Sequence, residues 1–141
     1  MASGYPLDDD DRWPWLRLIR DRLVEESEKV KDTDEKSRAV IVTCSSLKKV
    51  YRDVLRDIPT EVATVTFVYL KGTPELLLQR IQGRKGHFMP SAMLQSQLDT
   101  LEEPNEETES VIVTSIVPAP GVQAEHILKT ASERGLLHSS A

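Results

Sequence analysis

The sequence predicts an α/β protein in which a parallel β-sheet is covered by helices on both faces. Three short runs of apolar and β-branched residues, at 39–44, 62–70 and 111–117, have the composition of strands buried on both sides. Helical patterns separate these runs, and strands that alternate with helices are typical of βαβ units. A chain of 141 residues fits a single domain.

The first predicted helix begins at the four aspartates at 8–11. Aspartate side chains accept hydrogen bonds from the free N–H groups of a helix start, and Pro14 is tolerated in a first turn. Helix capping is therefore favoured over a metal site for this run. The apolar positions that follow recur at helical spacing, and they are Leu16, Ile19 and Leu23. The charged segment 25–38 is predicted to be a frayed helix end and a mobile, solvated loop.

A second helix is predicted directly after the strand at 39–44, with Ser45 and Ser46 as its caps. Its apolar positions follow helical spacing without a miss, and they are Leu47, Val50, Tyr51, Val54, Leu55 and Ile58. Ligands of an open α/β sheet gather beyond the carboxyl ends of its strands, where Lys48 and Arg52 are expected to lie. A solvated cationic helix face is the alternative, above all for Lys49 and Arg56.

A third helix is predicted from Glu75 to Gln82, because Thr73 and Pro74 supply an N-cap and a first-turn proline. Two further helices follow. One carries its apolar stripe at 93–101, and the other runs from Val122 to Arg134 and is ended by Gly135.

A basic segment follows the third helix and joins several cations to two glycines. The cations are Arg80, Arg84 and Lys85, and a histidine, His87, lies beside them. Arginine suits phosphate because its planar fork offers paired N–H donors, and Gly83 and Gly86 allow the sharp bends of a segment that closes over a ligand. Residues 83–92 are thus predicted to be a lid. A solvated basic loop with a helix C-cap at Gly83 is the alternative.

Composition excludes several classes of protein. A net charge of −5 and a pI near 5.2 argue against nucleic-acid binding and against an anionic membrane surface. The single cysteine, Cys44, excludes an internal disulfide framework, and no apolar run approaches the roughly 20 residues of a membrane span. The N-terminus lacks the apolar segment of a signal peptide, so the cytoplasm is the expected location.

Five stretches of the chain resemble the small P-loop gluconokinases, which are related to shikimate and nucleoside monophosphate kinases. The stretches occur in the family's order and cover nearly the whole sequence. They are Met-Ala-Ser-Gly-x-Pro-Leu-x-Asp-x-Asp-Arg-x-Pro-Trp-Leu at 1–16, Cys-Ser-x-Leu-Lys-Lys-x-Tyr-Arg-Asp at 44–53, Tyr-Leu-Lys-Gly at 69–72, Arg-Lys-Gly-His-Phe-Met at 84–89 and Leu-x-x-Gln-x-x-Thr-Leu-Glu-x-Pro at 94–104.

The resemblance implies a P-loop kinase-like parallel sheet that is missing its first two strands. The family opens with a strand and a Walker A loop, whereas no G-x-x-x-x-G-K-[S/T] motif occurs in these 141 residues. Met1 therefore resembles an internal methionine of the family, as in a short isoform, a mispredicted gene start or a decayed paralogue. In the strand order 2-3-1-4-5, the three apolar runs are strands 3, 4 and 5, and an open or rearranged sheet is expected.

The resemblance also implies a reaction, the transfer of a phosphoryl group from ATP to the 6-hydroxyl of D-gluconate with Mg²⁺ present. It places Arg80 and Arg84 in catalysis on the transferring phosphoryl group, with Lys85 joining them in ATP binding. The candidates for binding the sugar acid are Arg12, Lys48, Arg52 and His87. No residue of this sequence is expected to bind the metal. The chain is expected to form a homodimer, as the resemblance implies. The alternative is a catalytically inactive remnant without a phosphate-binding loop.

Overall fold

A computed structural model describes residues 7–31, 39–84, 86 and 90–137. Its elements, in chain order, are α1 (Asp9–Lys31), α2 (Lys49–Arg56), β1 (Phe67–Lys71), α3 (Pro74–Gln82), α4 (Ser91–Thr100), β2 (Val111–Ser115) and α5 (Pro120–Glu133). The strands pair in parallel, with Phe67 opposite Val111 and Lys71 opposite Ser115. This pairing confirms that the second and third predicted strands are parallel neighbours.

The prediction of a strand at 39–44 is wrong. These residues have no regular structure, and Ile41 is 88% exposed. A strand forms only where a neighbour offers N–H and C=O groups, and the sheet of the described residues consists of β1 and β2 alone. The expected open sheet is confirmed. The two observed strands are also shorter than predicted, since each ends where its partner ends.

The start of α2 also differs from the prediction. The helix begins at Lys49, with Lys48 at the N-cap position and no side-chain cap bond from it, so Ser45 and Ser46 do not cap it. The cap comes from a distant loop: an Oε2 of Glu102 accepts the backbone N–H of Lys49 at 2.9 Å, and the Glu102 N–H donates to the Leu47 carbonyl at 2.8 Å. Ser46 instead takes a positive φ of 39°.

The start of α1 confirms the capping interpretation. Asp8 and Asp11 form a reciprocal pair in which the Asp11 N–H donates to Oδ1 of Asp8 at 2.8 Å and the Asp8 N–H donates to Oδ2 of Asp11 at 3.2 Å. Pro14 lies in the second turn and not in the first.

Beyond Glu25, the prediction of a frayed end and loop is wrong as far as Lys31, because α1 continues to that residue. Ion pairs one turn apart hold this stretch, among them Arg22 with Glu26 at 2.7 Å and Lys29 with Glu25 at 3.1 Å. Residues 32–38 lie outside the described part of the chain.

The hydrophobic core forms where the apolar stripes of α1 and α2 meet. Its buried members are Leu16, Ile19, Leu47, Tyr51 and Leu55. Both predicted stripes are thus confirmed, except that Val50 is 49% exposed. The predicted third, fourth and fifth helices are present as well: Thr73 accepts the N–H of Leu76 at 3.2 Å as a cap, and Gly135 follows α5 with a φ of 69°.

A buried ion pair joins α2 to the loop before β2. The guanidinium of Arg52, whose side chain is 3% exposed, donates from Nε and Nη2 to the two carboxylate oxygens of Glu109 at 2.8 and 2.9 Å. Its Nη1 donates to the carbonyls of Ser46 and Leu47 at 2.9 and 3.2 Å. Arg56 adds a third bond to Glu109 at 2.6 Å. Hydrogen bonds from Arg52, and secondarily from Arg56, lower the pKa of Glu109 to about 2.

Replacing Glu109 by glutamine should destabilise the fold by about 3–5 kcal/mol at neutral pH, since it leaves the Arg52 charge buried without its partner. The pKa of Glu109 in the folded chain, about 2, lies below the ordinary value of 4.5. The ionised pair therefore stabilises the fold fully above pH 4.5, and this contribution is lost as the pH falls towards 2. Urea unfolding from pH 2 to 7 measures both effects. Glu107→Gln, in the same loop and exposed, is the matched control and should leave the curve unchanged.

The open sheet presents an apolar face. Val68 and Leu70 lie on the same side of β1 and are 42% and 53% exposed. A strand with an unpaired edge and exposed apolar side chains favours association between chains. We expect the chain to self-associate at micromolar concentration and the Val68→Thr, Leu70→Thr double variant to do so less, as measured by sedimentation velocity. Val117→Thr, at a residue 70% exposed beyond the end of β2, should behave like the unchanged chain. Equal association of both variants would contradict this prediction.

Candidate functional site

A pocket of about 460 Å³ opens where the start of α1, the start of α2 and the end of α4 meet. It brings residues far apart in the sequence to one surface. The residues that line it are Leu7, Asp8, Asp9, Asp10, Lys48, Tyr51 and Thr100. Most of them are polar, and acids and a lysine stand side by side.

Asp9 is the centre of the hydrogen bonding in this pocket. The ammonium group of Lys48 donates to Oδ1 and Oδ2 of Asp9 at 2.9 and 3.1 Å. The Tyr51 hydroxyl also donates to Oδ1 of Asp9. One carboxylate from α1 therefore orients two donors from the α2 segment.

Two cations lie close to the aromatic ring of Tyr51. The guanidinium carbon of Arg12 is 5.4 Å from the ring centroid, and the Lys48 nitrogen is 5.5 Å from it. The Trp13 ring meets the same ring edge-on, with centroids 5.5 Å apart and planes at 80°. Arg12 also donates from Nε and Nη2 to the Leu7 carbonyl at 3.2 and 3.1 Å, which fixes its position beside the pocket.

The charges of these groups are set by their contacts. Hydrogen bonds from Tyr51 and then from Lys48 lower the pKa of Asp9, and the bond to Asp9 raises the pKa of Lys48. Burial, followed by the bond to Asp9, raises the pKa of Tyr51. At neutral pH the pocket thus offers an ionised carboxylate, a charged ammonium and a protonated phenol.

The structure brings together two of the sequence-predicted binding residues. Lys48 lines the pocket, and Arg12 lies beside it against Tyr51. The assignment of Arg52 to substrate binding is not supported, because every nitrogen of its buried guanidinium is engaged with Glu109 or with backbone carbonyls. His87 and Lys85 lie outside the described residues.

The two arginines of the predicted lid do not line this pocket. Arg80 lies in the last turn of α3, Arg84 follows the helix, and both are exposed. Neither side chain has a hydrogen bond or ion pair with another described residue, and neither lines the pocket. Within the part of the chain that the structure describes, no group of three or more His, Cys, Asp or Glu residues is placed to hold a metal ion.

Sequence reasoning missed Asp9 and Tyr51 as site residues. The sequence pattern assigns Asp9, with its neighbours, to a helix cap and Tyr51 to a core position of α2. A signal for both was present, because Asp9 belongs to the Pro-Leu-x-Asp-x-Asp-Arg motif and Tyr51 follows the Leu-Lys-Lys motif that also holds Lys48.

Comparison with known proteins finds relatives over most of the chain. The chain is 40% identical over 128 residues to the thermoresistant gluconokinase of Escherichia coli, covering 90% of this chain and 67% of that protein. It covers 58% of a probable gluconokinase of Schizosaccharomyces pombe at 38% identity, so the chain spans from about half to two thirds of the length of such relatives. No family model matches.

Two solved structures have the same fold. A gluconokinase from Sinorhizobium meliloti superposes with a TM-score of 0.74 at 38% identity, over 95% of this chain and 69% of that one. A sugar kinase from a Janibacter species superposes with a TM-score of 0.76 at 40% identity, over 90% of this chain and 67% of that one. The fold is therefore that of an α/β sugar kinase, which confirms the predicted fold class. Within that class, the chain belongs to the gluconokinase family.

Replacing Tyr51 by phenylalanine should raise the pKa of Asp9 towards its ordinary value, because the hydroxyl is the largest cause of the lowered pKa. The titration of the Asp9 carboxyl carbon, followed by NMR, measures this shift. Tyr69→Phe is the matched control, since Tyr69 donates to Glu103 at 2.9 Å and not to Asp9. An Asp9 pKa unchanged in Tyr51→Phe would contradict the arrangement described for the pocket.

Proposed function

We propose that the chain supplies the sugar-acid side and the lid of a gluconokinase, which phosphorylates D-gluconate to 6-phospho-D-gluconate with ATP. The observation that carries the proposal is the pocket, in which Asp9, Lys48 and Tyr51 meet with Arg12 beside them. These residues come from two of the stretches that resemble gluconokinases, at 1–16 and 44–53.

The pocket offers what a sugar acid needs. Gluconate carries one carboxylate and a row of hydroxyls. The ammonium of Lys48 and the guanidinium of Arg12 are donors that suit the carboxylate, while oriented oxygen atoms suit the hydroxyls. Arg12 has uncommitted donors, since its bonds to Leu7 use only Nε and Nη2.

The lid would act on the other substrate. Arg80 and Arg84 have no partner among the described residues and are exposed, as cations that close on a phosphate must be before the ligand binds. Lys85 and His87 are proposed to complete this segment, the first for ATP and the second for the sugar acid. An arginine on the transferring phosphoryl group stabilises charge that develops in the transition state.

The remaining parts of the proposal follow from the family. Mg²⁺ would accompany ATP, but the described residues provide no group of three or more His, Cys, Asp or Glu side chains to hold it. We propose a cytoplasmic protein that binds neither nucleic acid nor membranes and that forms a homodimer. No described helix is both long enough and apolar enough to cross a bilayer.

Ligand titration and a coupled kinase assay together test the proposal. The 141 residues contain no G-x-x-x-x-G-K-[S/T] motif to cradle the phosphates of ATP, so this polypeptide alone is expected to bind D-gluconate and to show no turnover. Chemical-shift changes at Lys48 and Tyr51 on addition of D-gluconate would support the assignment. Their absence at millimolar ligand would contradict it, and ordinary turnover would show that another segment holds the phosphates.

In an active form of the enzyme, Arg84→Ala should lower kcat at least tenfold and change the KM for gluconate little, because the arginine acts mainly in the transition state. Lys49→Ala is the control, since Lys49 is exposed and pairs with Asp53 at 2.8 Å. Steady-state kinetics decide the matter. A large loss in Lys49→Ala together with normal turnover in Arg84→Ala would show that catalysis depends on a different cation.

A further inference from the structure

Asp9 differs from the three aspartates beside it. Asp8 and Asp11 accept each other's backbone N–H groups, and Asp10 is exposed with no side-chain hydrogen bond to a described residue. Asp9 alone among the four is oriented by another element, through Lys48 and Tyr51. Its contacts with α2 therefore distinguish it from a residue that serves the helix start.

The carboxylate of Asp9 keeps one acceptor position open. An ionised carboxylate has about four lone-pair sites. Oδ1 accepts from Lys48 and from the Tyr51 hydroxyl, whereas Oδ2 accepts from Lys48 alone. The Asp9 side chain is 47% exposed and lines the pocket, so the open site on Oδ2 is accessible to a ligand.

The charge of the pocket favours hydroxyl groups over a simple anion. Three carboxylates, those of Asp8, Asp9 and Asp10, line the pocket with one ammonium, that of Lys48, and the Arg12 guanidinium lies beside them. The carboxylate of a small acid is therefore attracted by the two cations and repelled by the three carboxylates. A polyhydroxylated acid recovers the cost, since its hydroxyls donate to a carboxylate that is already oriented.

From this arrangement we propose that Asp9 is a specificity-determining residue: Oδ2 of Asp9 accepts a hydrogen bond from a hydroxyl of the sugar acid and so selects polyhydroxylated acids over plain ones. The proposal rests on the proposed function and deepens it. A site built to bond a substrate hydroxyl discriminates strongly against an analogue that lacks it, because the polar group of the protein is then left unpaired.

Three probes separate the hydroxyls from the carboxylate: D-gluconate has both, hexanoate has the carboxylate on a six-carbon chain, and D-glucitol has hydroxyls only. Each is titrated into the 141-residue chain and followed by NMR. We expect the unchanged chain to prefer D-gluconate to hexanoate. Asp9→Asn should weaken the binding of D-gluconate and of D-glucitol about tenfold, because each loses a hydrogen bond to a charged group. The affinity for hexanoate should stay unchanged or increase.

Asp21→Asn is the matched control, because it removes the same charge from α1 at an exposed residue that does not line the pocket. It should leave the ratio of gluconate to hexanoate affinity unchanged. If Asp9→Asn keeps that ratio, or if Asp21→Asn changes it equally, the proposal is overturned. Tighter binding of both acids to Asp9→Asn would also overturn it, since Asp9 would then compete with the ligand for Lys48.

The failure of the proposed function has a different result. If D-glucitol binds as tightly as D-gluconate and its binding disappears in Asp9→Asn, the result supports recognition of hydroxyl groups by Asp9 and contradicts a site for a sugar acid. If the unchanged chain binds neither D-gluconate nor D-glucitol, the role of Asp9 and the proposed function are both overturned. Should Asp9→Asn fail to fold, Asp9→Glu keeps the charge and moves the carboxylate by one methylene. It should reduce the ratio of gluconate to hexanoate affinity, and an unchanged ratio would again overturn the proposal.

Discussion

The buried ion pair between Arg52 and Glu109 fixes α2 to the loop that leads into β2. Burying two charges is costly, and the cost is recovered only where the geometry satisfies both groups. Here each carboxylate oxygen of Glu109 and each nitrogen of the Arg52 guanidinium has a partner. The pair holds α2 against the sheet, because Glu109 lies two residues before β2 begins at Val111.

The same ion pair reaches the candidate site. Arg52 holds the carbonyls of Ser46 and Leu47 through Nη1, and Lys48 follows directly in the chain. Glu102 fixes the next residue by accepting the Lys49 N–H. The position of the Lys48 ammonium therefore depends on two acids that never touch the pocket. The Leu-Glu-x-Pro stretch at 101–104, which is one of the features that resemble gluconokinases, thus has a structural role, because its Glu102 caps α2.

Tyr51 connects core and site within one side chain. The residue is 1% exposed and belongs to the core cluster with Leu16, Ile19 and Leu55, while its hydroxyl donates to Asp9 at the pocket wall. The apolar stripe of α2 thus sets where the polar tip lies, and the donors of the pocket are placed by hydrophobic packing. The sheet contributes less, since β1 and β2 form a two-stranded ribbon whose apolar residues Val68 and Leu70 are exposed.

Features that depend on near neighbours in the chain can be predicted from the amino-acid sequence. The apolar stripes of α1 and α2, the Thr73 cap and the end of α5 at Gly135 follow from spacing and backbone preference within a few residues. The pairing of distant groups, in contrast, is set by the tertiary structure. Residues 39–44 have the composition of a strand but no strand beside them in the described sheet. Arg52 finds Glu109 at a separation of 57 residues, and Asp9 finds Lys48 at a separation of 39. Whether a charge binds a ligand or a neighbouring side chain depends on such distant partners, which local pattern does not contain.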